Sequence, residues 1–249
     1  IGTGGVGLMK TSVQTSRFRT YFAGESISSP PFSTEDGGYA YIWEKENPVR
    51  ITLPGTRHPV YLLQKKFAGL GLRARYLRDH QGNHWLYYQK SGQNNLVRIP
   101  APGGGAPRSY AFKTGEVHLG HFAADTDGQI YIGLNGVLYR FNPKTEQFTE
   151  HVYQAVQPRG SEVRSLAKTP DGRWWLGTFR GLVEAQPNTT GDYDFRLWQY
   201  EPGDTNSLRN NDISSLLPDP NDPNFLWIGT KGGGLARMDI NSGAFKHLT

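Results

Sequence analysis

The chain contains no cysteine among its 249 residues. Disulfides, thiolate zinc sites and a thiol nucleophile are therefore excluded, and the absence is compatible with an oxidising periplasm. No stretch of eighteen consecutive apolar residues exists, so no segment reads as a membrane-spanning helix. Sustained 3.6-residue periodicity is missing as well, and helix is expected to be scarce. Negative charge is absent from one long stretch, Asn47 to Arg78, which carries Arg50, Arg57, Lys65, Lys66, Arg73, Arg75 and Arg78. Those seven cations exceed the whole net charge of +5, so the basic balance belongs to one segment and not to the whole chain.

What is present is glycine, aromatics and repetition. The opening IGTGGVG places Gly2, Gly4 and Gly7 in a G-x-G-x-x-G spacing. A phosphate-cradling loop of that kind needs a helix after it. Here the following residues run through Thr11, Ser12, Val13, Thr15 and Ser16 into an alternation of Phe18, Thr20 and Phe22, a composition that favours strands. LWIGTKGGGLARMD near the other end repeats the opening, with Ile1-Gly2-Thr3 matching Ile228-Gly229-Thr230. The glycines read as part of a repeat, and nucleotide binding is not expected.

Further copies of this anchor are AYIWE, HWLYYQ, QIYIGL and RWWLGT, recurring every 40 to 50 residues or so. Asp-Gly turns at Asp36-Gly37, Asp127-Gly128 and Asp171-Gly172 punctuate the copies. A period of this length made only of short strands predicts an all-β fold, a β-propeller of four-stranded blades. The units fall at about residues 1–24 (partial, lacking its inner strand), 25–66, 67–114, 115–157, 158–204 and 205–249, one partial and five complete. The first residue already lies inside a repeat, so a segment of a longer propeller array is expected. Tyr131, Trp175 and Trp227, at the aromatic position of the anchor, are expected to wedge between neighbouring blades.

From Ser161 to Thr249 the pattern is more specific. NSLRNNDISSLL, the Trp227-Ile228-Gly229-Thr230 core, the triple glycine Gly232 to Gly234 and the turn from Asp239 to Gly243 together resemble the two-component regulator propeller repeat. That repeat belongs to the periplasmic sensor region of Bacteroidetes hybrid two-component histidine kinases. The match weakens between Gly37 and Tyr110, where the anchor is not followed by Gly-Thr. The resemblance implies a periplasmic ligand sensor, attached to the membrane only through other parts of its parent protein, responding to polysaccharide breakdown products and working as a homodimer. The repeat residues are structural in that family, so none is carried over as a binding residue.

Candidate binding residues must come from outside the repeat. Arg73 and Arg75 alternate along LRARYLRD and face one way, with Arg78, Lys65 and Lys66 nearby in sequence. Guanidinium groups hold carboxylates and sulfates through paired hydrogen bonds, which suits an acidic oligosaccharide. The bland alternative is a solvated face with alkyl stems packed over neighbours. Trp43, Tyr87, Tyr88 and Trp198 offer rings for sugar stacking, against burial between blades. Metal is not expected: His80 and His84 flank a turn without a third ligand, and His118 and His121 lie on opposite strand faces. Asp125-Thr126-Asp127-Gly128 opens like a calcium loop but has Ile130 where that loop requires glycine. Asp192 and Asp194 are a poor catalytic pair in the loop NTTGDYD, no G-x-S-x-G elbow exists, and no cofactor is implied. A basic segment without a ladder of stacking aromatics does not suit nucleic acid. The expectation is a non-catalytic sensor segment; a lyase on a propeller scaffold and a pure protein-interaction propeller are the alternatives.

Overall fold

The computed structural model describes residues 2–3, 7–11, 18–21, 32–33, 39–44, 47–52, 56–59, 74–90, 92–101, 103–112, 120–153, 156 and 162–248, with side chains from residue 75 onward. These residues contain strands and turns and no helix. The strands form one three-stranded and five four-stranded antiparallel sheets, each built from consecutive strands in sequence order. That is the blade pattern of a β-propeller.

The chain divides into two units, Ile1–Leu119 and Gly120–Thr249. In the first, sheet I is β1 (Gly2–Thr3), β2 (Gly7–Thr11) and β3 (Phe18–Tyr21). Gly2 pairs with Leu8 and Thr3 with Gly7, so the glycines of the opening motif belong to a hairpin. Sheet II is β4 (Phe32–Ser33), β5 (Tyr39–Glu44), β6 (Asn47–Thr52) and β7 (Thr56–Pro59). Sheet III is β8 (Ala74–Arg78), β9 (His84–Lys90), β10 (Gln93–Ile99) and β11 (Arg108–Phe112). Trp85, Leu86 and Tyr87 are consecutive in β9 and all fully buried, so both faces of sheet III are covered.

The second unit holds sheets IV to VI. Sheet IV is β12 (His121–Ala124), β13 (Ile130–Leu134), β14 (Val137–Asn142) and β15 (Gln147–Val152). Sheet V is β16 (Val163–Lys168), β17 (Trp174–Thr178), β18 (Gly181–Pro187) and β19 (Tyr193–Trp198). Sheet VI is β20 (Ile213–Pro218), β21 (Phe225–Thr230), β22 (Gly234–Asp239) and β23 (Phe245–Leu248). First strands approach one another, β12 against β16 and β16 against β20, which makes them the inner strands.

The glycine of the repeat anchor explains how the sheets stack. A Cβ on Gly177 would sit 2.6 Å from Cγ2 of Ile213, and one on Gly133 would sit 3.0 Å from Cγ1 of Val163. Each glycine is thus the seat of the first β-branched residue of the next sheet. In sheet V the threonine after the glycine closes the following turn: Thr178 Oγ1 donates to Gly181 O at 2.8 Å and accepts from Arg180 N at 3.0 Å. The aromatic of the anchor is tied to the turn before it, since Trp175 Nε1 donates to Thr169 Oγ1 at 3.1 Å, and Trp85 and Trp227 donate to Asp79 and Asp219 at 2.7 and 3.1 Å. Trp175 is fully buried in the layer shared by sheets V and VI, and Tyr131 is buried in the layer shared by IV and V. Trp227, in the last sheet, is only half-buried.

Candidate functional site

Strand β19 separates two chemistries by simple alternation. Tyr193, Phe195 and Leu197 pack into the apolar layer with sheet IV. Asp194, Arg196 and Trp198 point the other way, into a cleft of about 240 Å³ between sheets V and VI. Antiparallel pairing sets Gln186 opposite Asp194, Glu184 opposite Arg196 and Leu182 opposite Trp198. The far wall is the turn from Ile240 to Gly243 that joins β22 to β23.

The floor of the cleft is an ion-pair network. Arg173 Nε donates to Asp171 at 2.6 Å, Nη1 to Glu184 Oε1 at 3.0 Å and to the Ile240 carbonyl at 2.5 Å, and Nη2 to Asn241 Oδ1 at 3.0 Å. One guanidinium therefore ties sheet V to sheet VI. Burial works to raise the Asp171 carboxyl, but the Thr169 hydroxyl and Arg173 outweigh it and hold it below the usual carboxylate range. The other oxygen of Glu184 accepts from Trp198 Nε1 at 2.9 Å. Both oxygens of this buried carboxylate are thus used away from Arg196, its cross-strand neighbour. Arg196 instead lies over the Trp198 ring, 3.7 Å from the centroid. Gly243 sits against the same indole, where a Cβ would come within 2.4 Å of Cη2.

The seam between sheets IV and V is filled differently. His151 Nδ1 donates to Asp192 Oδ1 at 2.5 Å, and the imidazole edge meets the Tyr193 ring at 4.9 Å. That hydrogen bond from His151, with the Tyr193 backbone N–H, keeps the Asp192 carboxyl below its usual range. Tyr193 reaches the Tyr131 hydroxyl at 3.5 Å, Tyr131 tilts against Trp174 at 4.3 Å, and Lys168 Nζ donates to Asp125 at 2.6 Å. Burial, then the Tyr193 contact, push the Tyr131 phenol above its ordinary value.

Of the residues predicted from sequence, Trp198 lines the cleft, with Arg196 on its ring. Arg75 is half-buried and Arg78 exposed, and the alternation of β8 sets them on opposite faces of the strand. Lys65, Lys66 and Arg73 lie outside the described residues, as does the side chain of Trp43 on β5. Tyr87 is buried, its hydroxyl donating to Asn94 Oδ1 at 3.0 Å, and Tyr88 is half-buried. Asp192 and Asp194 are parted by the strand, one holding His151 of sheet IV and the other facing sheet VI. His84 bonds Tyr76, His80 is exposed and His118 lies outside the described residues. Among the described residues no group of three His, Asp or Glu is placed to hold a metal. Sequence reasoning missed Arg173, Glu184 and Arg196. The signal for Arg196 was the D-x-R-x-W alternation of β19, which becomes readable, with Glu184 opposite Arg196, only once the cross-strand register is known.

The Asn-rich stretch that carries much of the resemblance is structural. Asn206 Oδ1 accepts from Phe245 N at 2.8 Å, Asn210 Oδ1 from Asp212 N at 2.7 Å and Asn211 Oδ1 from Tyr200 N at 2.6 Å.

Comparison with known proteins agrees with this architecture. Residues 158–180, covering β16, the turn at Thr169–Arg173 and β17, match the family described as two component regulator propeller. The chain carries that repeat. No curated protein sequence matches it. Among solved structures, the extracellular domain of BT4673 from B. thetaiotaomicron, described as a one component system, is similar over 95% of this chain and 30% of its own, with a TM-score of 0.61 and 17% identity. The extracellular domain of BT3049 from the same organism, described as a hybrid two component system, is similar over 88% of this chain and 33% of its own, with a TM-score of 0.53 and 17% identity. Virginiamycin B lyase from Staphylococcus aureus is similar over 96% of this chain and 75% of its own, with a TM-score of 0.57 and 12% identity. The chain thus spans about a third of the length of the extracellular domains it matches. At these identities the likeness defines the fold, a β-propeller.

Proposed function

We propose that the chain is part of the extracytoplasmic, ligand-sensing propeller of a hybrid two-component sensor. In this reading it recognises glycan-derived oligosaccharides, acidic ones through the basic segment that includes Arg73, Arg75 and Arg78, and signals by rearrangement of a homodimer. Catalysis is assigned to other modules of the parent protein, a membrane-anchored histidine kinase. The observation that carries the reading is the two component regulator propeller match at residues 158–180, on the hairpin that builds the seams of the second unit. Likeness to two extracellular domains of B. thetaiotaomicron sensory systems supports it. A sensor of this kind needs only a differential affinity between two dimer arrangements to shift their populations.

The test is the unfolding midpoint of the chain against neutral, uronic and sulfated oligosaccharides. Binding to the folded state raises apparent stability by mass action, by about 2.7 kcal/mol at a hundredfold excess over Kd. A rise with oligosaccharides is expected, lost for acidic sugars when Arg73 and Arg75 are both changed to alanine. No rise with any oligosaccharide, or turnover of virginiamycin B by the chain, would overturn the reading, the second outcome in favour of a lyase.

A further inference from the structure

The cleft between sheets V and VI presents two opposite charges that are not spent on each other. Asp194 is exposed, and among the described residues its carboxylate accepts one hydrogen bond, from Asn188 Nδ2 at 3.1 Å. Arg196 is exposed, its guanidinium carbon lies 3.7 Å from the centroid of the Trp198 ring, and no ion pair holds it among the described residues. The two residues share one face of β19, about 7 Å apart along the strand. Each is prevented from collapsing onto the nearest alternative. Glu184, which faces Arg196 across the ladder, has one oxygen on Arg173 and the other on Trp198. Arg173, which could attract Asp194, has its donors on Asp171, Glu184, the Ile240 carbonyl and Asn241.

We propose that this cleft is a binding site for a small zwitterion of amino-acid size, its carboxylate on the Arg196 guanidinium and its ammonium on the Asp194 carboxylate. Contact with the indole holds the Arg196 guanidinium at the cleft, and a guanidinium pairs with a carboxylate through two parallel hydrogen bonds. Gln186, opposite Asp194, and the Ser242 hydroxyl stand at the rim for a polar substituent. A simple anion would meet Arg196 but also the uncompensated Asp194, and a simple cation the reverse. Only a ligand carrying both charges satisfies both groups. The volume of about 240 Å³ lies below the roughly 300–1,000 Å³ of pockets for drug-sized molecules, which suits a free amino acid. Neither the oligosaccharide reading nor the basic segment is needed for this site.

The test is titration of the chain with glycine, β-alanine and L-serine, and with acetate and ethylammonium as the two halves, read from the Trp198 indole N–H and Gly243 amide resonances. Saturable shifts are expected for the zwitterions and not for either half. Asp194→Asn and Arg196→Gln should each weaken binding about tenfold, the loss of one charged hydrogen-bonded contact, with the unfolding midpoint unchanged. The proposal is overturned if acetate or ethylammonium binds as well as glycine, if either variant binds like wild type, or if no zwitterion gives a saturable shift by about 10 mM. Oligosaccharide binding is read separately: zwitterions silent while sugars raise the midpoint removes this site alone, and the converse removes only the glycan reading.

Discussion

Two seams of the same unit, built from the same repeat, are closed in different ways. Between sheets IV and V the rim is filled by rings, with Tyr131, Trp174 and Tyr193 in contact and His151 bonded to Asp192. Between sheets V and VI one guanidinium, Arg173, reaches across, and above it the rim stays open around Trp198. What the seams share is the glycine that seats the next sheet, Gly133 in one and Gly177 in the other. What differs is the outer strand, where β19 turns Tyr193, Phe195 and Leu197 to one side and Asp194, Arg196 and Trp198 to the other. The repeat therefore sets the stacking, while residues outside it decide whether a seam is sealed or left with free chemistry.

Removing the Arg173 tie should have the largest effect. Arg173→Met strands the buried Glu184 carboxylate, and breaking a buried pair from one side costs about 3 kcal/mol or more. Urea or thermal unfolding measures this directly, and a change close to zero would mean that the seam does not depend on the pair. Next comes Gly177→Ala, whose Cβ meets Ile213 at 2.6 Å and should cost about 1–3 kcal/mol through overpacking. Gly133→Ala meets Val163 at 3.0 Å and should cost less, so the pair ranks the tightness of the two seams. Equal losses at the two glycines would remove that ranking.

The smallest expected effect is on the acid limb. Asp125, Asp171, Asp192 and Asp219 are all held below the usual carboxylate range in the folded protein. Their stabilisation is complete above the unfolded value of about 3.9 and drains away as pH falls below it. Stability should thus be insensitive to these groups from pH 5 upward and fall from about pH 4 downward. Asp192→Asn should blunt the part of that fall due to the His151 seam, and Asp171→Asn the part due to the Arg173 seam. A fall already complete at pH 5 would contradict these assignments.

The fold was legible in the sequence because its signals are local. Asp-Gly turns, the Trp-Leu-Gly-Thr anchor and strand-length alternation each act within a few residues, and Gly172 at φ 93° shows why the turn needs glycine. The role of Trp175 as a buried wedge was legible for the same reason. The cleft was not. Asp194 read as a member of the loop NTTGDYD until β19 was known to begin at Tyr193, and one residue of difference in that register would exchange the two faces. Arg173 reaches Ile240, 67 residues on, and nothing in the sequence near either residue announces the contact. Trp198 was singled out for its ring, yet its neighbour Arg196 lies on the ring and carries the free charge.

The central claim is that the motif residues of sheet V hold the molecule together while the open rim beside them is free of structural duty. The direct measurement is the unfolding free energy of Gly177→Ala and Arg173→Met set beside Asp194→Asn and Arg196→Gln. The account predicts a loss above about 1 kcal/mol for each of the first two, and values within about 0.5 kcal/mol of wild type for the second two. A loss at Asp194 or Arg196 as large as that at Gly177 would contradict it, because those side chains would then be part of the seam.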